Sequence, residues 1–92
     1  MIRSFRHRGL ERFFKEDDAR GINARHGPRI RLMLDLLDQA AAVEQLDIPG
    51  MHRHPLKFDW KGQWAMTVSG NWRTAFPFVG EDATNVNLED YR

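Results

Sequence analysis

The sequence predicts an α+β domain in which two N-terminal helices pack on a β-sheet. In the first half of the 92-residue chain, apolar residues recur at helical spacing, and in the second half they alternate with polar residues. Helices followed by a run of strands, without alternation between the two, are typical of α+β proteins. The chain is long enough for one domain, and we assign residues 1–92 to it.

The first half contains a weak strand and two helices. Residues 2–5 favour a short strand, and Leu10, Phe13 and Phe14 form the apolar side of a short helix. Pro28 favours the start of the second helix, where its missing N–H is tolerated. The second helix has two apolar stripes, and the second of these packs on the first helix or awaits a partner chain. The stripes consist of Ile30, Met33, Leu34, Leu37 and Ala41, and of Leu32, Leu36, Ala40 and Val43.

The second half is predicted to form a meander of three strands. Pro49 and Gly50 end the helical region, and residues 51–58 are expected to be extended or loop. Period-two patterns over residues 63–78, interrupted by Ser-Gly-Asn at 69–71, predict a β-hairpin. A last strand follows over residues 85–91. One face of this sheet is apolar and is expected to receive the helices, whereas the other displays Gln63, Thr67, Arg73, Asn85, Asn87 and Tyr91.

Composition excludes several classes of protein. The chain has no cysteine, so disulfides and thiolate metal sites are absent. The longest apolar stretch, residues 40–43, is far below the roughly 20 residues of a membrane helix, and no signal-peptide pattern follows Met1. We therefore expect a cytoplasmic protein that does not associate with membranes. Nucleotide-binding, dinucleotide-binding and common hydrolase motifs are also missing, and we expect no cofactor.

The charge distribution indicates a polyanion as a possible ligand. The formal net charge is only +1, but residues 1–31 carry nine basic and four acidic side chains. Residues 51–79 carry four basic side chains and one acidic side chain. These two basic segments are consistent with one cationic face, and equally with a surface of ion pairs.

Two groups of polar residues suit phosphodiester chemistry. His54 and Lys57 lie three residues apart, separated by a proline that stiffens the segment, and they offer proton transfer and charge neutralisation. The alternative is a pair of exposed loop residues. Arg73 is predicted on the polar sheet face, where its guanidinium grips phosphate or pairs across strands with Glu89.

The residues at the end of the last strand add further candidates. Asp90 and Tyr91 bring a carboxylate and a phenol towards the sheet edge, and the phenol suits stacking on a base or proton transfer; an aromatic at the edge of the core is the alternative. His52 and His54 have no third residue at a recognisable metal-ligand spacing, so we expect no metal site.

These residues resemble the HigB family of bacterial toxins in the RelE/ParE superfamily. The resemblance covers essentially the whole chain. It rests on residues 1–5, the His-Pro-Leu-Lys segment at 54–57, Gly62 with Trp64, Asn-Trp-Arg at 71–73 with Phe76, and Glu-Asp-Tyr at 89–91. It implies the microbial RNase-like RelE/ParE fold, with two N-terminal helices on a mostly antiparallel sheet.

The resemblance also implies an activity. Such toxins enter the A site of the 70S ribosome and cut mRNA there by a metal-free attack of the ribose 2′-OH, until a helix-turn-helix antitoxin similar to HigA binds them. Arg92 stands where the family commonly has histidine, and Phe58 and Trp60 also depart from the family pattern. The catalytic positions that carry over are His54, Lys57, Arg73, Asp90 and Tyr91.

Two further surfaces are expected on the toxin. The expected RNA- and ribosome-binding residues are Arg6, Arg8, Arg53, Lys61 and Arg92, and the expected antitoxin-binding residues are Arg25, Arg29, Leu32 and Leu36. We expect the toxin to be monomeric when free and part of a higher-order complex with its antitoxin.

Two other functions remain open: a gyrase poison similar to ParE, and an RNA-binding module with weakened catalysis.

Overall fold

The computed structural model describes residues 1–55 and 62–90 of the chain. Short 3₁₀ turns lie at residues 19–21, 24–26 and 43–46. The two helices precede a sheet of antiparallel strands, so the predicted α+β class is confirmed. The elements are α1 (Arg8–Glu16), α2 (Gly27–Gln39), β1 (His54–Pro55), β2 (Gln63–Ser69), β3 (Trp72–Val79), β4 (Asp82–Ala83) and β5 (Asn87–Asp90).

Helix α1 is capped by a histidine. The Nδ1 atom of His7 accepts a hydrogen bond from the N–H of Leu10 at 3.1 Å, which satisfies one of the unpaired donors of the first turn. At the other end Asp17 adopts a left-handed conformation and donates its N–H to Phe13. Leu10 and Phe13 are buried against the core, so the helix packs through one side only.

Helix α2 is shorter than its apolar pattern predicts. Four of the five residues of the first stripe are buried, but the helix ends at Gln39 because the next residue, Ala40, is extended. The carboxamide oxygen of Gln45 then accepts from the N–H groups of Ala41 at 2.6 Å and Ala42 at 3.2 Å. These bonds replace the helical ones, and Ala41 is consequently exposed rather than part of the stripe.

The sheet is centred on β3. Strand β2 pairs with one side of β3, whereas β4 and β5 pair with successive parts of its other side, and β1 pairs with β2. Every pairing between named strands is antiparallel. Ile2 and Phe5 form parallel bridges with Ala83 and Val86, which gives the predicted N-terminal extended segment its place beside the sheet.

The core lies between the helices and one face of this sheet, which we call the inner face. The largest fully buried side chain is Phe76 of β3, with Met66 on β2 and Val86 before β5 also buried completely. Thr74 is buried with them, and its hydroxyl donates to the carbonyl of Met66 at 3.4 Å. The predicted apolar face is therefore confirmed, and the opposite face is left for polar residues.

Candidate active site

The register of the strands defines a second face of the sheet, which we call the outer face. His54 lies opposite Ala65, and Ala65 lies opposite Ala75, so the three residues share one face. In the neighbouring row, Arg73 lies opposite Thr67 on β2 and Glu89 on β5. The outer face therefore carries both His54 and Arg73.

Two strand spacings and two residues separate His54 from Arg73 along the outer face. These dimensions place their Cα atoms about 12 Å apart, and the Nε of Arg73 is bonded to Glu89 on β5, on the far side of β3 from His54. Ala65 and Ala75 are 0% and 6% exposed, so the surrounding chain covers them. A phosphodiester at the surface between the two side chains would meet an imidazole on one side and a guanidinium on the other.

Arg73 is held by the last strand. Its Nε–H donates to Oε1 of Glu89 at 2.6 Å, and the two side chains are 20% and 33% exposed. The cross-strand ion pair that the sequence offered as an alternative is therefore present. The contact with Glu89 occupies one of the five N–H groups of the guanidinium.

His54 is held by its own chain. Its Nδ1 atom lies 2.7 Å from the carbonyl oxygen of His52. A carbonyl oxygen only accepts hydrogen bonds, so this contact requires the proton to be on Nδ1. Nε2 is then the ring nitrogen that can take up or release a proton. The backbone of His52 is left-handed, with φ of +53°, a conformation uncommon for a residue with a side chain.

Asp90 is placed on the other side of the sheet. It lies opposite Trp72, and the adjacent pair of Arg73 and Glu89 points to the outer face. Strand alternation therefore directs Asp90 away from that face. Asp90 is exposed at the end of β5. The expected grouping of Asp90 with His54 and Arg73 is at odds with this register. The other two predicted catalytic residues, Lys57 and Tyr91, lie outside the described residues.

The expected RNA-binding arginines differ in their surroundings. Arg6 and Arg8 are exposed before and at the start of α1. Arg53, in contrast, donates to the carbonyl of Val43 at 3.0 Å, and its guanidinium lies 4.8 Å from the centre of the Trp64 ring. The structure thus uses Arg53 in packing, which is at odds with an exposed RNA contact. Lys61 and Arg92 lie outside the described part of the chain.

The expected antitoxin-binding residues also divide into two kinds. Arg25 is exposed and Leu32 is 50% exposed, whereas Leu36 packs partly against the core. The guanidinium of Arg29 donates to the carbonyl oxygen of Thr67 at 3.0 and 2.8 Å, and also to that of Gly50. Arg29 is therefore committed to the backbone, contrary to the expectation of a free docking residue.

Sequence reasoning missed the roles of Arg29 and His52. Arg29 bonds carbonyl oxygens 21 and 38 residues away, and no side-chain pattern marks a carbonyl as a partner. The left-handed backbone of His52 has a weak signal in the preceding Pro49 and Gly50, which indicate a turn.

The clearest electrostatic shifts lie away from the outer face. Hydrogen bonds from Arg20 lower the pKa of Asp18 to about 2, and the hydrogen bond from Arg3 lowers the pKa of Asp82. Burial lowers the pKa of His7, which favours the neutral ring that caps α1. Among residues 1–55 and 62–90, no three His, Cys, Asp or Glu side chains are grouped as metal ligands, and neither helix there has the length and apolarity to cross a membrane.

Comparison with known proteins identifies the family of this chain. The HigB-like toxin family, described as the RelE-like toxin of the type II toxin-antitoxin system HigB, matches residues 3–91. The Endoribonuclease HigB of Proteus vulgaris is 40% identical over 91 residues, which are 99% of this chain and 99% of the relative. This chain therefore belongs to the HigB-like family of RelE-like toxins of type II toxin-antitoxin systems.

Proposed function

We propose that the toxin is an endoribonuclease that cuts mRNA in the ribosomal A site and so stops translation. The observation that carries this proposal is the shared outer face of His54 and Arg73, which offers proton transfer and phosphate binding from two neighbouring rows of the sheet. The name of the Proteus vulgaris relative, an endoribonuclease, supports the same activity.

The reaction is a transesterification. The ribose 2′-OH gives its proton to a base, and its oxygen bonds to the adjacent phosphorus. The bond from phosphorus to the 5′-oxygen breaks, and that oxygen takes up a proton. The products are a 2′,3′-cyclic phosphate and a 5′-OH end, and neither an oxidant nor a reductant is consumed.

His54 and Arg73 have distinct parts in this reaction. Nε2 of His54 exchanges the proton, which contributes typically about 10²–10⁴-fold to the rate. The Arg73 guanidinium stabilises the charge that grows on the phosphoryl oxygens, at about 2.7–4 kcal/mol for one preorganised donor. By resemblance to the family, Lys57 shares the charge and Tyr91 stacks on the base beside the scissile bond.

The ribosome aligns the substrate. His54 and Arg73, in two neighbouring rows of the described sheet face, are few groups with which to orient flexible RNA. Alignment lowers a barrier by about 7–11 kcal/mol. Codon nucleotides held in the A site meet this need. Arg6 and Arg8, exposed beside α1, add electrostatic affinity for ribosomal RNA and mRNA.

The partner of the toxin is a helix-turn-helix antitoxin similar to HigA. Half-exposed Leu32 and exposed Arg25 offer apolar and cationic contacts near the start of α2, outside the outer face. The free toxin is monomeric, and its complex with the antitoxin is of higher order.

A reconstituted translation reaction tests the proposal. The purified toxin is added to one mRNA, either free or bound to ribosomes with an empty A site, and the cuts are mapped by primer extension. We expect cleavage within minutes on the ribosome and negligible cleavage of free mRNA. Arg73→Ala should bind the ribosome and fail to cut, and the wild-type product should carry a 5′-OH. Equal rates on free and bound mRNA would contradict the role of the ribosome.

Pulse labelling in cells separates this function from gyrase poisoning. A nuclease that acts on the ribosome stops protein synthesis first, whereas a gyrase poison stops DNA synthesis first. A prior arrest of DNA synthesis would exclude the proposed activity as the cause of toxicity.

A further inference from the structure

We propose that Arg29 and His52 are positioning residues that hold the imidazole of His54 in its Nδ1–H tautomer. This inference rests on the proposed function, in which His54 transfers the proton. It concerns two residues outside the expected catalytic set, one on α2 and one in the turn before β1.

The first part of the arrangement is a guanidinium bound to the backbone. Arg29 donates to the carbonyl of Thr67 on β2 and to the carbonyl of Gly50 in the turn. The same turn is joined to β2 a second time, because the N–H of Thr67 donates to the carbonyl of Met51 at 3.0 Å. Met51 is 4% exposed and belongs to the core. These contacts fix the backbone immediately before His52.

The second part is the conformation of His52 itself. Its φ of +53° is uncommon for a residue with a side chain, and such conformations persist where the surrounding contacts determine them. Met51 is bonded to β2 on one side, and His54 is paired with Ala65 of β2 on the other. The left-handed residue between these anchors presents its carbonyl oxygen to Nδ1 of His54 at 2.7 Å.

The consequence for His54 is a fixed assignment of its two nitrogens. The carbonyl of His52 requires a proton on Nδ1, so the lone pair of the neutral ring is on Nε2. In the other tautomer, the Nδ1 lone pair would face the carbonyl oxygen and the hydrogen bond would be lost. We call the Arg29 contacts and the His52 backbone that they hold the clamp. The clamp keeps the lone pair on Nε2, where it can accept the 2′-OH proton, and it limits rotation of the ring. The side chain of His52 is not required for this effect.

The test combines imidazole nitrogen NMR of the purified protein with cleavage of ribosome-bound mRNA. Two-bond proton–nitrogen spectra distinguish the two tautomers, and the signals of His54 are assigned by their loss in His54→Ala. His52→Gly keeps the carbonyl and relaxes the strain, whereas the β-branched side chain of His52→Val opposes the left-handed conformation. Arg29→Ala removes the clamp, and Arg12→Ala removes the same charge from an exposed position on α1.

We expect the Nδ1–H tautomer of His54 in the wild type, in His52→Gly and in Arg12→Ala, with cleavage within about two-fold of the wild-type rate. His52→Val and Arg29→Ala should have mixed tautomers and kcat lowered by about 10- to 100-fold, with KM little changed. Arg29→Lys, which keeps the charge without the planar fork, should recover part of the loss. Urea unfolding of each variant identifies any that are not folded.

Three results would overturn the proposal. These are an Nε2–H tautomer of His54 in the wild type, an unchanged tautomer in folded His52→Val, and equal losses in Arg29→Ala and Arg12→Ala. If the tautomer is as proposed but His54→Ala still cuts at the wild-type rate, the proposed proton transfer fails while the clamp is confirmed as a structural contact. The positioning role would then be excluded.

Discussion

Removal of the Glu89 carboxylate should lower kcat through its effect on Arg73. Oε1 of Glu89 accepts from Nε of Arg73 at 2.6 Å, across two strands that hold both backbones in register. In Glu89→Ala the guanidinium loses this partner and gains rotational freedom. In Glu89→Gln the carboxamide oxygen still accepts from Nε, but the negative charge near the phosphate is absent.

The size of the effect follows from the exposure of the pair. An ion pair between partly exposed side chains is worth about 0.2–1 kcal/mol, and immobilising a side chain costs about 0.5–1.5 kcal/mol. We therefore expect Glu89→Ala to raise the barrier by about 1 kcal/mol, a loss of about five-fold in kcat/KM. Glu89→Gln should stay within about two-fold in kcat, with a lower KM because repulsion of the RNA is removed. Arg73→Ala should lose about 10²–10³-fold in kcat.

Single-turnover cleavage of ribosome-bound mRNA measures these effects as a double-mutant cycle. In the Arg73→Ala background, Glu89→Ala should have little further effect, because its partner is already gone. A five-fold loss in both backgrounds would mean that Glu89 acts independently of Arg73. Equal rates for Glu89→Ala and Glu89→Gln would refute the positioning of the guanidinium by this hydrogen bond.

Three further predictions concern folding and the partner. A Cβ at Gly9 would overlap a backbone carbonyl of the 3₁₀ turn that follows α1. Gly9→Ala should therefore lower the free energy of unfolding by about 1–3 kcal/mol in urea titrations. Gly27→Ala should be close to neutral, because its Cβ meets no atom closer than 3.9 Å. Burial lowers the pKa of His7 below its usual 6.5 in the folded protein. The stabilisation of α1 by the neutral His7 cap is therefore complete above pH 6.5, and it is lost as the pH falls from 6.5 towards the pKa of His7 in the folded protein. The free energy of unfolding of His7→Asn should depend less on pH between about 7.5 and 5. Leu32→Ser combined with Arg25→Glu should weaken antitoxin binding in calorimetric titrations without changing mRNA cleavage, and unchanged affinity would place the interface elsewhere.

The fold was largely predictable because its periodicities are local. The buried residues Ile30, Met33, Leu34 and Leu37 follow a helical repeat, and the strands around the Gly70 turn follow a repeat of two. The end of α2 was not predictable in this way, since the apolar pattern continues past Gln39. A side-chain oxygen from Gln45 captures the next two N–H groups, and such competition depends on geometry rather than on pattern.

The candidate site was predictable as a set of residue types but only partly as an arrangement. Alternation along β3 correctly assigned Arg73 to the polar face, and the pairing with Glu89 was one of two stated alternatives. The same alternation directs Asp90 to the inner side, which the motif at the end of the chain does not reveal. Arg29 and Arg53 were predicted to be surface cations, but their partners are backbone carbonyls. Every residue has a backbone carbonyl, so no sequence pattern identifies these partners.

The pairing of the N-terminal segment with residues near the other end has a consequence for how the toxin is made. Arg3 and Arg6 donate their N–H groups to the carbonyls of Ala83 and Val86, both at 2.9 Å, so residues 1–6 have no sheet partner until the segment around 82–90 has been synthesised. At about 5–20 residues per second, that interval is roughly 4–16 s. Contacts so distant in sequence also form slowly. The outer face therefore assembles after synthesis of its last strand, and a ribosome that is still translating the message carries a toxin whose Arg73 has not yet met Glu89.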